Sequence, residues 1–345
     1  MTRPVTKGKH LLRNAGAALL YAFGATRPSG IPRDRLAIVT LHRVLPREYR
    51  DVYPLRSIAV TPETLARLLE FFSEHFECMT LGRAASLWQE GYDGDRPLLA
   101  VTFDDGQEDN FLYARPLLAK FGVPATFFVP VNPIDDQGHL WHDRIGFGAQ
   151  RLGRLSGAPL EAMSPYLGRE LRRGLGNALP ARLVEAAKGM TPPRRARLLA
   201  RLGELLGEEV LPAWSGMMRW SQIRTLASEG HEIGSHGATH AILLERYEPD
   251  LGREVGGSRQ RLEEVLAVPV RSFSFPNGNF DEAAIQAVHD AGYEWAVTTR
   301  PGLNPRGTSS FALRRFDIQQ ELNQTFTGRL SVPVLSWRLR RKTRA

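Results

Sequence analysis

Leu98-Leu99-Ala100-Val101-Thr102-Phe103-Asp104-Asp105-Gly106 is the stretch on which the reading of this chain turns. An apolar run bounded by Pro97 and Gly106 suits a short strand covered on both faces, as in a parallel sheet. Two carboxylates at the C-terminal end of such a strand sit where α/β folds keep their chemistry. Taken by itself, Asp-Asp-Gly is as well explained as a turn. A second stretch raises it above that.

Far downstream the chain reads Gly230-His231-Glu232-Ile233-Gly234-Ser235-His236-Gly237-Ala238-Thr239-His240. If this segment is helical, His236 and His240, four apart, project from one face and can share a metal ion. No Glu follows His236, so this is not the metalloprotease helix with its built-in base. A third ligand and a base must come from elsewhere, and Asp104-Asp105 offers both.

Together with Arg271-Ser272-Phe273-Ser274-Phe275-Pro276-Asn277-Gly278, these stretches resemble the first three motifs of the polysaccharide deacetylases, in the family's order. This is carbohydrate esterase family four, which includes the nodulation chitooligosaccharide deacetylases. The resemblance runs from about Leu36 to Ile318. It implies an α/β fold, a distorted, incomplete (β/α) barrel.

Alternating strand and helix signals agree with that fold. Leu36–His42 reads as the first strand, and Thr61-Pro62 opens a helix with Leu65, Leu68, Leu69 and Phe72 on one face. Leu81–Glu90 and 109–121 read as helices, and 124–129 as a strand. Residues 132–215 interrupt the rhythm with Leu- and Arg-rich segments, amphipathic at 182–190 and 193–206, and read as a helical insertion. Helix 220–229, strand 231–234, helix 246–266, strand 270–275, a helix to Ala291 capped by Asn279 and Glu282, and strands 294–298 and 312–316 complete the count.

The chain therefore divides into a basic amphipathic segment (1–30), a barrel domain (31–330) carrying the insertion, and a basic tail (331–345). Its 345 residues can bury a large core. The formal charge of +8 would suit an anionic partner, but no nucleic-acid motif accompanies it. Only five of the 45 basic residues are lysine, a skew that genome composition can explain. The single Cys78 excludes an intrachain disulfide.

Near the N-terminus, Arg3, Lys7, Lys9 and Arg13 lead into Ala15–Ala25, an apolar run too short to span a membrane. It fits an interfacial helix or a secretion signal. The C-terminal Trp337-Arg338-Leu339-Arg340-Arg341-Lys342 repeats the basic-apolar chemistry. Two such ends favour peripheral membrane contact at the cell envelope over a secreted or periplasmic protein.

Two imidazoles and one carboxylate on a divalent ion, zinc foremost, leave a position open for water, the arrangement of a catalytic site. Such an ion lowers the pKa of bound water from about 15.7 towards ~7. By the resemblance, Asp105, His236 and His240 are the metal triad and Asp104 the base. Arg271 keeps that base ionised, and the backbone N–H of Asn277 receives the oxyanion. The family's late Leu-x-His acid is missing, because the region reads Ala312-Leu313-Arg314-Arg315-Phe316-Asp317-Ile318. Thr40-Leu41-His42-Arg43-Val44 resembles the N-terminal acid segment of the biofilm poly-N-acetylglucosamine deacetylases, which makes His42 the acid, with His142 or water as alternatives. Trp295 is the nearest match to a further motif, and Trp141 can stack on a sugar or pack the insertion.

The expected activity is metal-dependent removal of N-acetyl groups from aminosugars of a cell-surface polysaccharide or its lipid-linked precursor. O-acetyl ester hydrolysis, deformylation, or a silent sugar-binding barrel are the alternatives.

Overall fold

A computed structural model describes residues 7–155, 163–167, 178–207, 211–247, 249–325 and 329–340, with side chains from Leu12 onward except at Ser164 and Leu167. The basic residues Arg3, Lys7, Lys9, Arg341 and Lys342 cited above thus fall outside what is described, as whole residues or as side chains.

The strands are β1 (Arg35–Leu41), β2 (Arg43–Val44), β3 (Ala59–Val60), β4 (Glu77–Met79), β5 (Leu98–Phe103), β6 (Ala125–Val129), β7 (Glu232–Ser235), β8 (Ser272–Ser274), β9 (Trp295–Val297), β10 (Asn304–Pro305) and β11 (Phe316–Asp317). The main sheet runs β10-β1-β5-β6-β7-β8-β9, with β4 on β5 and β11 on β1, and only β10 is antiparallel. Every residue of β5 is buried, as its apolar run requires.

The sheet curls back on itself. Leu313 bridges Val297 of β9, and three residues later β11 pairs Phe316 with Val39 of β1. The segment 313–317 therefore closes the gap between the last strand and the first. This is the distorted, incomplete (β/α) barrel. Close approach at its centre requires Gly234, where a Cβ would lie 2.5 Å from the Phe128 ring and 2.9 Å from the Ser272 carbonyl.

Helices fill the crossovers. Thr61 caps Pro62–His75 by accepting from the Thr64 N–H, and Leu65, Leu68, Leu69 and Phe72 are buried on one face. The insertion contributes helices Trp141–Leu152, Leu179–Lys188 and Pro192–Leu206, whose apolar faces share a second core with Leu45, Tyr53 and Leu55. Pro192 and Pro193 open the last of these, as residues whose missing N–H costs nothing in a first turn.

Three local expectations change. The helix expected over 246–266 is regular only over Ser258–Leu266, after a wide turn at Gly252–Gly257, since three glycines weaken the first half. Helix Glu282–Asp290 is capped by Asp281, which accepts from the Ala284 N–H at 3.0 Å, rather than by Asn279. The strand expected at 312–316 is reduced to Phe316–Asp317.

Candidate active site

Asp104 and Asp105 leave the end of β5 in different directions for a reason unlike strand alternation. Asp105 has φ +80°, in the left-handed region, and this turns its carboxylate toward the end of β7. There, His236 follows β7 directly and His240 lies in a loop at φ +59°, so the pair is presented by a strand end and a turn, not by a helix. Asn277, after β8, has φ +58°. Three of the five non-glycine residues with such a backbone among the described residues are thus at this one place, the pattern of strain held at a functional site.

Asp105 Oδ1 is 3.2 Å from His240 Nε2 and 3.5 Å from His236 Nε2. The three side chains are buried, and their donor atoms lie within 4.8 Å of one another. His236 Nδ1 donates to the Ser274 carbonyl at 2.7 Å, which fixes the ring and turns Nε2 inward. Burial pushes the His240 imidazole down to about 4, leaving a neutral ring able to ligate. Burial would raise the Asp105 carboxyl, but hydrogen bonds with His236 and His240 hold it well below the usual range. Two imidazoles and one ionised carboxylate, with no fourth residue in the cluster among the described residues, fit a divalent cation with an open position.

The loop holding His240 is tied at both flanks. Glu254 accepts from the Ala238 and Thr239 N–H groups at 3.0 and 2.9 Å. The Trp141 indole N–H donates to the His240 carbonyl at 3.1 Å, and the Arg195 guanidinium lies 4.1 Å over the Trp141 ring. Trp141 therefore packs the insertion onto the histidine loop, with one ring face taken.

Asp104 has a different partner from the expected one. Arg315 grips it as a fork, Nη1 to Oδ1 at 2.8 Å and Nη2 to Oδ2 at 2.7 Å. The guanidinium is buried and also donates to the Thr298 carbonyl, Thr102 Oγ1 and Ser274 Oγ. Burial alone would lift the Asp104 carboxyl; Arg315, with His236 beyond it, outweighs burial and holds it below the ordinary range. Arg271 has no part in this. It lies at the start of β8, 58% exposed, 3.3 Å from Glu294. Five residues before Pro276 is the wrong end of a strand that runs toward the site.

Trp295 is likewise corrected. It opens β9 opposite Ser272, 5% exposed, and packs in the core with Trp88 and Phe128 at the opposite end of the sheet. A buried indole there cannot meet a ligand at Asp105.

His42 follows β1, whose Leu41 pairs with Phe103, so the register sets it beside Asp104. It is half-buried, and its charge helps depress the Asp104 carboxyl. His142, on the insertion helix, comes from the other side. Its Nε2 is buried without a hydrogen-bond partner, 3.6 Å from Asp105 Oδ2. The next residue, Asp143, anchors that helix by accepting from Tyr53 Oη at 2.6 Å, Gln107 Nε2 at 2.7 Å and Arg43 Nη1 at 3.3 Å.

Known proteins agree with this architecture. A sequence model of the family described as polysaccharide deacetylase matches residues 91–174 and 179–296. The chain belongs to that family. The Bacillus subtilis protein YxkH, which carries the family's name, is 19% identical over 253 residues, 73% of this chain and 63% of its own length. The structure of the Streptococcus pyogenes deacetylase PplD in complex with acetate has a TM-score of 0.55 at 15% identity, over 84% of this chain and 94% of that one. IcaB from Ammonifex degensii gives 0.55 at 18% identity, over 84% and 93%. At these identities, the structural likeness speaks for the barrel fold.

Proposed function

We propose that this protein hydrolyses N-acetyl groups from aminosugars of a cell-surface polysaccharide or its lipid-linked precursor, with a divalent cation, zinc foremost, at Asp105, His236 and His240. The observation that carries this reading is the division of labour between neighbouring carboxylates. Asp105 faces two imidazoles, while Asp104 faces a guanidinium.

A cation held by the triad supplies a Lewis acid and a more acidic water. Asp104, kept ionised by Arg315, takes the proton from the attacking water. The water oxygen bonds to the acetyl carbon, and the backbone N–H of Asn277 donates to the oxyanion that forms. His42 gives a proton to the sugar nitrogen as the C–N bond breaks, releasing acetate and a free amine. A second reading of the acid has its own support: the buried, unpartnered Nε2 of His142 is aimed at Asp105 from the insertion. Trp141, one face of which lies under Arg195, offers at most its remaining surface to a sugar.

The test is acetate release from N-acetylglucosamine oligomers by metal-reconstituted protein beside Asp104→Asn. Release by the wild type, lost in the variant with metal content unchanged, supports both the class and the base. Release only from O-acetylated oligomers moves the protein to the esterases. No release from any acylated sugar by metal-loaded protein overturns the enzymatic reading.

A further inference from the structure

The net positive charge of this chain resides at its two ends. Residues 1–33 and 322–345 hold twelve Lys and Arg and no acid, against 45 basic and 37 acidic residues in the whole sequence, so the chain between them is slightly acidic. The fold brings these ends together. Helix Lys7–Ala22 packs on helix Val332–Arg340, burying Ala17, Leu335 and Leu339. Arg340 Nη1 donates to the Ala25 carbonyl at 2.6 Å, Arg13 Nη2 to the Gln324 carbonyl at 3.2 Å, and Ser336 Oγ to the Thr26 carbonyl.

Among the described residues, nothing covers the outer face of the N-terminal helix. Leu12 is 76% exposed, Leu19 60%, Leu20 43% and Phe23 84%. These are four of the eight large apolar side chains exposed among the described residues, and the other four are scattered. Ala15, Gly16, Ala18 and Ala22 are exposed between them, and no charged residue occurs from Asn14 to Thr26. Spacings of seven and four place Leu12, Leu19 and Phe23 on one stripe. An apolar stripe bounded by cations at both helix ends is more than a soluble surface normally shows.

From this juxtaposition we infer that the paired terminal helices form a membrane-docking face, whose partner is an anionic lipid bilayer. The helix lies in the plane of the interface. Its 16 residues span about 24 Å, short of the ~30 Å hydrocarbon core, and no described helix is long and apolar enough to cross. Leu12, Leu19 and Phe23 enter the acyl boundary, while the positive charge of the two termini, to which the exposed Arg27 contributes among the described residues, draws the face to lipid phosphates. This inference does not depend on the deacetylase reading.

The experiment is co-sedimentation of the full-length, metal-loaded protein with vesicles of phosphatidylcholine alone and with one-third phosphatidylglycerol, at low and raised salt. Binding to the anionic vesicles, weakened by salt, is expected. The double variant Leu19→Glu/Phe23→Glu should lose at least roughly tenfold in binding, with melting temperature and sugar-directed activity unchanged. No binding by the wild type, or equal binding by the variant, overturns the inference. So does a dimer in sedimentation velocity that the variant abolishes without any vesicle binding, which would make a second copy the occupant. Recovery from native cells of a chain cleaved before residue 26 would also overturn it.

Discussion

The two ends of one sheet handle their acids in opposite ways. At the C-terminal ends of the strands, Asp104 and Asp105 are buried yet held ionised, one by Arg315 and the other by two imidazoles. At the other end Glu232, the first residue of β7, is half-buried among neutral donors: the Gly82 N–H at 2.7 Å, the Thr126 hydroxyl at 3.2 Å and Ser272 Oγ. Burial pushes its carboxyl up, and those hydrogen bonds only partly offset that. A cleft of about 720 Å³ also lies at the Glu232 end, lined by Gly82, His231, Arg271 and Trp295. A cleft by itself does not locate the chemistry here. The placement of cations and metal-ligating groups around the carboxylates does.

Removing the cation from the Asp104 end should have the largest effect. Arg315→Met leaves a buried carboxylate unpaired, costing about 3–5 kcal/mol of stability. Activity should also fall by roughly 10²–10⁴ as Asp104 loses its ionised form. Arg315→Lys, which keeps the charge without the fork, should fold and recover part of the rate. Thermal unfolding and acetate release read both, and wild-type turnover in Arg315→Met would break the comparison at its stronger end. His42→Ala should lower kcat by roughly 10²–10⁴ with metal content intact. If His142→Ala does so instead, the acid comes from the insertion.

A smaller effect is expected at Glu232. Its folded-state pKa is raised, so the stability it contributes is present below its ordinary 4.5 and lost as pH rises through the folded value. Glu232→Gln carries no such loss, and its melting temperature should gain on the wild type by a few degrees between acidic and neutral pH. A gap that narrows with rising pH would mean that Glu232 is held ionised after all. Smallest of all, Arg271→Gln removes an exposed ion pair and should cost less than ~0.5 kcal/mol, with acetate release unchanged. A large loss of activity there would restore Arg271 to the site and undo the assignment to Arg315.

Motifs that are local in the chain were legible in the sequence. The apolar run of β5 ending in Asp104-Asp105 needs only its own residues to be read, and so does His236-Gly237-Ala238-Thr239-His240. Residues that reach the site through strand closure were not legible. Arg315 is one of 40 arginines, in a stretch that reads only as a short strand, and its place beside Asp104 exists only because 313–317 bridges β9 to β1. Glu254, which binds the histidine loop, looks like any acid on a helix until that loop folds over it.

The sequence by itself determined the family, the barrel rhythm and the carboxylate and histidine donors, because strand periodicity and turn chemistry act over a few residues. Only the tertiary structure decided which arginine holds Asp104, which backbone turns separate it from Asp105, and that the two terminal helices pack together. The arginine's place and the helix pairing depend on register and closure between segments far apart in the chain, and the turn at Asp105 is held by the histidines that a distant strand end brings to it.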